Sequence, residues 1–492
     1  MIIYSLYHDE SMAYPEAGAP FRPGEAYPEY PFGADCVAPN VNAVYAGVRE
    51  TLRLAGLDAE SYGTAAWNPL GAYIEPGMCV LVKPNLVMHE NPTGNGTDCL
   101  YTHPSVVAAV IDYVVVALKG KGAVVLADAP MQSCDFDALV GQSGLRELVS
   151  WYRSRGVDIE LKDMRGLKSV STTAGLEQEL VEDATGKVID LGTDSCFAGL
   201  PKERIDALRI TNYDPAELKR HHTQDRHEYY VSSCLLDADV VVNLPKAKTH
   251  RKAGVTGALK NMVGVNVRKE YLPHHSNGSA AEGCDEYEGA NLFKRLMDDA
   301  LDAGNSMLAQ GPSCIRSVLA YLARGFRYLG KRTAPDAYIE GSWFGNDTIW
   351  RTVLDLNKIV FFADRDGVMR DEPQRRMVVL CDMVTVGQGE GPLLPEPSEW
   401  HMLAFSDDPC VHDVAMARMM GTDPSIISTV GNALVYDGPY AWRDAGGELP
   451  VCRSNDPAFD GVRVDGLNED MRYKAKPTSG WAARFAREVH IA

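Results

Sequence analysis

Met78-Cys-Val-Leu-Val-Lys83-Pro-Asn85 is an apolar run that stops in a lysine, a proline and an asparagine. Thr102-His103-Pro104-Ser105 then opens a helix of apolar periodicity reaching about Leu118, and Gly122-Ala-Val-Val-Leu-Ala-Asp128 repeats the strand pattern with a carboxylate at its end. A short continuous apolar run fits a strand covered on both faces, and a threonine followed by a first-turn proline marks a helix start. A helix over about Asp137–Arg155 and a third strand at Val157-Asp-Ile-Glu-Leu161 continue the alternation. Strands separated by helices imply an α/β fold built on a doubly wound, largely parallel sheet, with its site at the carboxyl ends of the strands.

A further apolar run, Ala238-Asp-Val-Val-Val242, leads into Asn243-Leu-Pro-Lys246-Ala-Lys248-Thr-His250-Arg-Lys252-Ala-Gly254-Val-Thr-Gly257-Ala-Leu-Lys260-Asn261-Met-Val-Gly264. This concentration of lysine and glycine stands in a chain whose formal charge is −19. Generic surface does not explain it, because the rest of the protein would repel the anions such a loop attracts. Lys83, Asn85, His103, Asp128 and the Lys246–Lys260 loop all fall just after strands, so this architecture lets them converge. The helix start at Thr102–Ser105 would add unpaired N–H groups to an anion site. A buried or cation-crowded lysine is a nucleophile or attachment point, and a partly exposed one is an anion clamp; the sequence leaves both open, and leaves Lys252 equally open as solvated charge.

The 492 residues exceed one ordinary domain, and a 45% hydrophobic content suffices for a core in two or three lobes. The acidic balance argues against a nucleic-acid or anionic-membrane binder. Eleven cysteines stand singly, without the CxxC spacing of a zinc knuckle or a ferredoxin run, which suits a reducing cytoplasm. The N-terminal residues lack a basic segment followed by a long apolar core, and no window reaches the length of a membrane span. These features set the expectation of a cytoplasmic globular protein.

The remaining chain divides into an extension (1–75) with a helix near Asn40–Leu54, an α/β domain carrying the Lys/His loop (76–270), a helical insert (271–370) and a C-terminal α/β lobe (371–492). The insert carries Tyr271-Leu-Pro-His274-His275, a helical stretch over about Gly289–Leu329 and the turn Gly345-Asn346-Asp347-Thr348. The last lobe holds a strand near Met377–Val384, a glycine loop at Gly387-Gln-Gly389-Glu-Gly391-Pro392 and a strand-to-helix joint at Phe405–Pro409. Six of the twelve histidines lie between His221 and His275. Imidazole there would ligate a metal or shuttle a proton near neutral pH, and the adjacent pairs lack the i, i+4 spacing of a zinc peptidase.

The blocks Val82–Leu86, Thr102–Pro104, Ala238–His250, Gly254–Asn261, Leu272–His275, Gly345–Thr348 and Asp408-Pro409, in this order, resemble the domain of unknown function family 362 over about residues 78–440. Some relatives append ferredoxin-type cysteine motifs, which this chain lacks. His250-x-x-Ala-Gly254-x-Thr-Gly257-x-x-Lys260 is also similar to the His-x-x-Ala-Gly-x-Ser-Gly-x-x-Lys segment of the nickel-pincer lactate racemase family. That resemblance implies a two-lobed architecture, acid/base work at His250, cofactor or substrate binding at Lys260, where the racemases' lysine holds the pincer covalently, and a metal-ligating histidine near His274 or His275. The racemases' Asp-x-Thr-Arg-Pro block is replaced here by Lys83-Pro-Asn85 and Thr102-His-Pro104.

Together these readings set an expectation. The chain is an enzyme of small-molecule, biosynthetic metabolism acting on a small anionic substrate that bears phosphate, sulfate or carboxylate. His250, Lys260, His275 and Asp128 would carry proton transfer or displacement of an anionic leaving group, with no metal site or cofactor required. Lys83, Asn85, Thr102, His103, Lys246, Lys248, Gly257, Asn261, His274, Asn346 and Asp347 would bind the substrate. The alternatives are a metal- or nickel-pincer-dependent isomerase or oxidoreductase and a non-catalytic binding subunit. A homo-oligomer and a small partner subunit both stay open.

Overall fold

A computed structural model of the protein describes residues 2–15, 21–172, 175–181, 184–308 and 313–485. Ten strands form one mixed sheet. They are β1 (Tyr4–His8), β2 (Cys79–Pro84), β3 (Ala123–Asp128), β4 (Ile159–Asp163), β5 (Val240–Leu244), β6 (Lys246–His250), β7 (Gly254–Thr256), β8 (Arg376–Glu390), β9 (Leu394–Ser406) and β10 (Arg453–Ser454). The order β10-β1-β9-β8-β5-β2-β3-β4 is parallel from β8 to β4 and turns antiparallel at β9, while β6 runs parallel to part of β8 and pairs antiparallel with β7.

The apolar runs fold as buried central strands because alternate residues feed two separate cores. Val80, Val82, Val240 and Val242 face a cluster shared with α1 (Ala43–Leu54) and α2 (Pro104–Leu118). Leu81, Val125, Val241 and Val379 face the opposite cluster, where α3 (Ile349–Phe362) packs. Each such side chain contributes about 1.5–3 kcal/mol by leaving water. Helices therefore cover both faces of the parallel half, as a doubly wound sheet requires.

Several boundaries differ from the sequence reading. Helix Asp137–Arg155 is two helices, Phe136–Gln142 and Leu145–Ser154, because Gly144 adopts a left-handed φ of 79° between them. The glycine loop at Gly387–Pro392 belongs largely to β8, which runs on to Glu390 because it stays paired with β9. The segment read as an extension supplies β1, hydrogen-bonded on both sides by β9 and β10. β8, from the segment read as a C-terminal lobe, pairs directly with β5, so one sheet runs through both. The insert contains helices Leu292–Asn305 and Cys314–Thr333; residues 309–312 of the expected helical stretch lie outside the described residues. Among the described residues no helix is long and apolar enough to cross a membrane.

Candidate functional site: a lysine and histidine cavity

The register that sets Lys83 opposite Asn243 brings the ends of β2, β3 and β5 to one edge of the sheet. Beneath that edge lies a polar network. Lys83 Nζ donates to Asp128 Oδ1 at 2.6 Å and to Asn261 Oδ1 at 3.2 Å, and Asn85 Nδ2 donates to the same Asn261 oxygen at 3.1 Å. Lys248 Nζ donates to Asn85 Oδ1 at 2.5 Å and also to the Leu100 carbonyl. Thr102 Oγ1 accepts from Asn85 N and donates to the Leu244 carbonyl, tying β2 to β5. Asp128 accepts two further backbone N–H groups, from Leu86 and Ala129, so both of its carboxylate oxygens are engaged. Gly264 closes over the pair, since a Cβ there would sit 2.3 Å from Asp128 Oδ1 and 2.7 Å from Lys83 Nζ.

Above the network is a cavity of about 180 Å3 lined by Asn85, Asp128, His250, Lys252, Lys260, Asn261, Lys269 and His274, with Arg251 and Tyr213 at its wall. Asp128 is its one lining carboxylate among the described residues, and Lys83 already neutralises it. Burial first, and then the mutual repulsion of the cations, lowers the lysines: Lys260 to about 7, with Lys269, Lys252 and Lys83 as the opposing charges. Burial lowers Lys252 and Lys269 to about 8 even though the carboxylates of Glu340 and Asp128 respectively raise them, and burial with the Lys246 charge lowers Lys248 in the floor to about 7. Lys269 Nζ donates to the Ala129 carbonyl at 3.0 Å, and Lys252 Nζ donates to the Glu340 carbonyl. Lys260 Nζ has no hydrogen-bond partner among the described residues. Burial and then the Lys260 charge also hold His250 and His274 well below the ordinary imidazole range.

The cavity thus gathers Asn85, Asp128, His250, Lys260, Asn261 and His274 from the expected set, with Lys83, Thr102 and Lys248 as its floor. The others lie elsewhere, each for a visible reason. His103 caps α2 through Nδ1, which accepts from Ser105 N, while its own N–H donates to Asp382; the helix start expected to hold an anion is closed by these groups and by Tyr14 stacked on the ring. Burial lowers His103 to about 3. Lys246 is spent on Asp382 at 3.1 Å and on Tyr14. Gly257 begins the short helix Ala258–Asn261, whose first N–H groups, from Ala258 and Leu259, donate to Asp413 rather than facing the cavity. His275 is buried behind Lys252, its Nδ1 3.5 Å from that amine. Asn346 bonds the His274 and Gly341 carbonyls and caps α3, while Asp347 pairs with Arg351 and Arg204. His222 and His227 pack with Phe197, away from the cavity lining.

Sequence reasoning missed Lys269 and Tyr213 and undervalued Lys252. Lys269 stands just ahead of Leu272-Pro-His274, so its nearness to a block already singled out was the available signal. Nothing in the irregular segment around Tyr213 marked it. Among the described residues no group of three or more His, Cys, Asp or Glu side chains is placed to hold a metal ion.

Sheet and cavity together define an α/β protein with a cationic, histidine-bearing site at the carboxyl edge of parallel strands. The chain belongs to the family described as Domain of unknown function (DUF362), which matches residues 80–182 and 181–418. No curated protein matches it at a significant level. A crystal structure of a protein from Thermotoga maritima, a structural-genomics target, is similar over 73% of this chain and 53% of that one, at 10% identity and a TM-score of 0.27. The chain spans about half the length of that protein.

Proposed function

We propose that the protein is an enzyme of small-molecule, biosynthetic metabolism that holds an anionic substrate in the lysine cavity and carries out proton transfer, or displacement of an anionic leaving group, on it. One observation carries this reading: Lys252, Lys260 and Lys269 line a small cavity whose one carboxylate is already neutralised. Burial and mutual repulsion make these amines give up protons more readily, and a bound anion opposes both while gaining several charge-assisted hydrogen bonds. About 180 Å3 suits a molecule of a few carbon atoms bearing phosphate, sulfate or carboxylate. A nucleotide-sized cofactor at Lys260 fits less well, because pockets for larger ligands run to about 300–1,000 Å3. The eleven free cysteines support a reducing cytoplasm as its compartment.

Calorimetry with inorganic sulfate, phosphate and oxalate tests the proposal. Binding by the wild type and weaker binding by Lys252→Met and Lys260→Met would support it. No binding of any of the three would overturn it.

A further inference from the structure

The two histidines of the cavity are held by opposite kinds of backbone group. His250 Nδ1 accepts from the N–H of Lys252 and of Ala253, each at 3.1 Å. A nitrogen receiving two N–H donors presents its lone pair to them, so in the neutral ring the proton resides on Nε2. His274 Nδ1 lies 2.7 Å from the Leu272 carbonyl, which can only accept, so that nitrogen carries the proton and Nε2 is bare. Neither Nε2 has a protein partner among the described residues, and both rings line the same cavity.

We propose that His274 Nε2 is the proton acceptor of the site and that His250 is a fixed Nε2–H hydrogen-bond donor, the pair acting on a small anion with a C–H bond next to a carbonyl or carboxylate group. This rests on the anion-binding reading above and narrows its substrate class to carbon acids. In the step, the C–H bond breaks and its proton goes to His274 Nε2. The electron pair becomes the enolate, whose oxygen accepts from His250 Nε2–H. The new imidazolium is supported through Nδ1–H by the Leu272 carbonyl, and delivering its proton to a different carbon of the enolate system completes the turnover as an isomerisation.

His250 cannot exchange roles. Taking a proton at Nδ1 would break two backbone hydrogen bonds, and giving one up at Nε2 would leave an imidazolate. The groups facing the pair are Lys252, Lys260 and Lys269, with Arg251 beside His250. Their charges, added to burial, keep both rings neutral, and the charge of a bound anion opposes the lysines and restores basicity to His274.

Neutron diffraction from wild-type crystals, and ring-15N spectra of the full chain at pH 7, read the tautomers directly. The expected result is a proton on Nε2 alone in His250 and on Nδ1 alone in His274. With oxalate bound as a planar enolate-like dianion, His274 should gain a second proton while His250 stays singly protonated. The reverse tautomers, or oxalate charging His250 and leaving His274 neutral, would overturn the proposal. Failure of oxalate, sulfate and phosphate all to bind is a separate outcome that removes the anion site, and the ring protons of the unliganded protein then still decide the tautomers. His274→Asn and His250→Asn assign the spectra, and the wild-type neutron map serves if either variant fails to fold.

Discussion

Anion binding to this cavity should take up protons, and the amount follows from the lysines that line it. At pH 8, Lys260, lowered to about 7, is charged in only about a tenth of molecules, and Lys252 and Lys269, at about 8, in about half. A bound anion that returned all three to their ordinary range would draw in, through the lysines, about two protons at pH 8 and close to none at pH 6, with any proton taken by His274 in addition. Integrating that slope, affinity should fall by about 40-fold from pH 6 to pH 8, an upper bound because it assumes full restoration. Sulfate is the suitable probe, since it does not itself titrate in this range. Isothermal calorimetry in two buffers of different ionisation enthalpy counts the protons independently of the affinity. Lys260→Met removes the most strongly lowered amine, so its uptake should drop to about one proton and its pH effect to about 4-fold. Sulfate that binds with equal affinity at pH 6 and pH 8, and with no buffer-dependent heat, would refute the reasoning, because the lysines would then be charged without it.

The same amines make a stability prediction whose sign is fixed. Lys260 has a folded pKa of about 7, below its unfolded value, so the unfolded chain holds more protons between about pH 7 and pH 10. Lys260→Met should therefore be stabilised relative to wild type most at pH 7 and below, the gain declining by up to about 1.4 kcal/mol per pH unit towards pH 10 in urea unfolding curves; a gain that grows with pH would contradict this. Asp128→Asn strands the Lys83 ammonium in the core and should cost about 3–5 kcal/mol in the same assay, whereas a cost under about 1 kcal/mol would show that the pair is not closed. Gly264→Ala should lose sulfate binding and stability together, because its Cβ meets the Lys83–Asp128 pair; an alanine variant with wild-type behaviour would show that the floor can move. Lys246→Met should destabilise by leaving Asp382 without its cation while sulfate uptake by the folded protein stays as in wild type, and a changed proton count would place Lys246 in the site.

The strands were legible because both faces of the sheet are covered, so Val80–Val82 and Val240–Val242 show as unbroken apolar runs that no amphipathic helix would produce. β1 was not, since Tyr4–His8 mixes polar and aromatic residues and acquires its strand identity only from β9 and β10 on either side. The cationic loop stood out against a net charge of −19, but charge excess alone could not say where each amine goes. Lys246 and Lys248 lie two apart on one strand, and yet one meets Asp382 and the other Asn85, partners from opposite ends of the sequence. The same holds for the helix start at Thr102, which looked open because the carboxylate that occupies it, Asp382, comes from β8.

His274 and His275 show the limit most sharply, because adjacent residues of one type carry no sequence signal for which of them faces a site. In an extended segment successive side chains point to opposite sides. Once His275 pairs with Arg209 across a short antiparallel ladder, its ring turns in behind Lys252 and His274 is left to the cavity. Its Nδ1 then meets the carbonyl two residues earlier, and that local contact sets the tautomer. The chemistry assigned to His274 is thus decided by a backbone hydrogen bond within its own turn, while its access to an anion is decided by a two-residue ladder with a segment far away in sequence. Arg209→Pro, which removes the Arg209 N–H from that ladder while keeping the carbonyl that accepts from His274 N–H, should therefore loosen the orientation of His274 without removing a charged group of the cavity. Its expected signature is broadened His274 ring-nitrogen signals with sulfate proton uptake intact. A sharp, wild-type His274 signal in that variant would mean the turn at Leu272 orients the ring by itself.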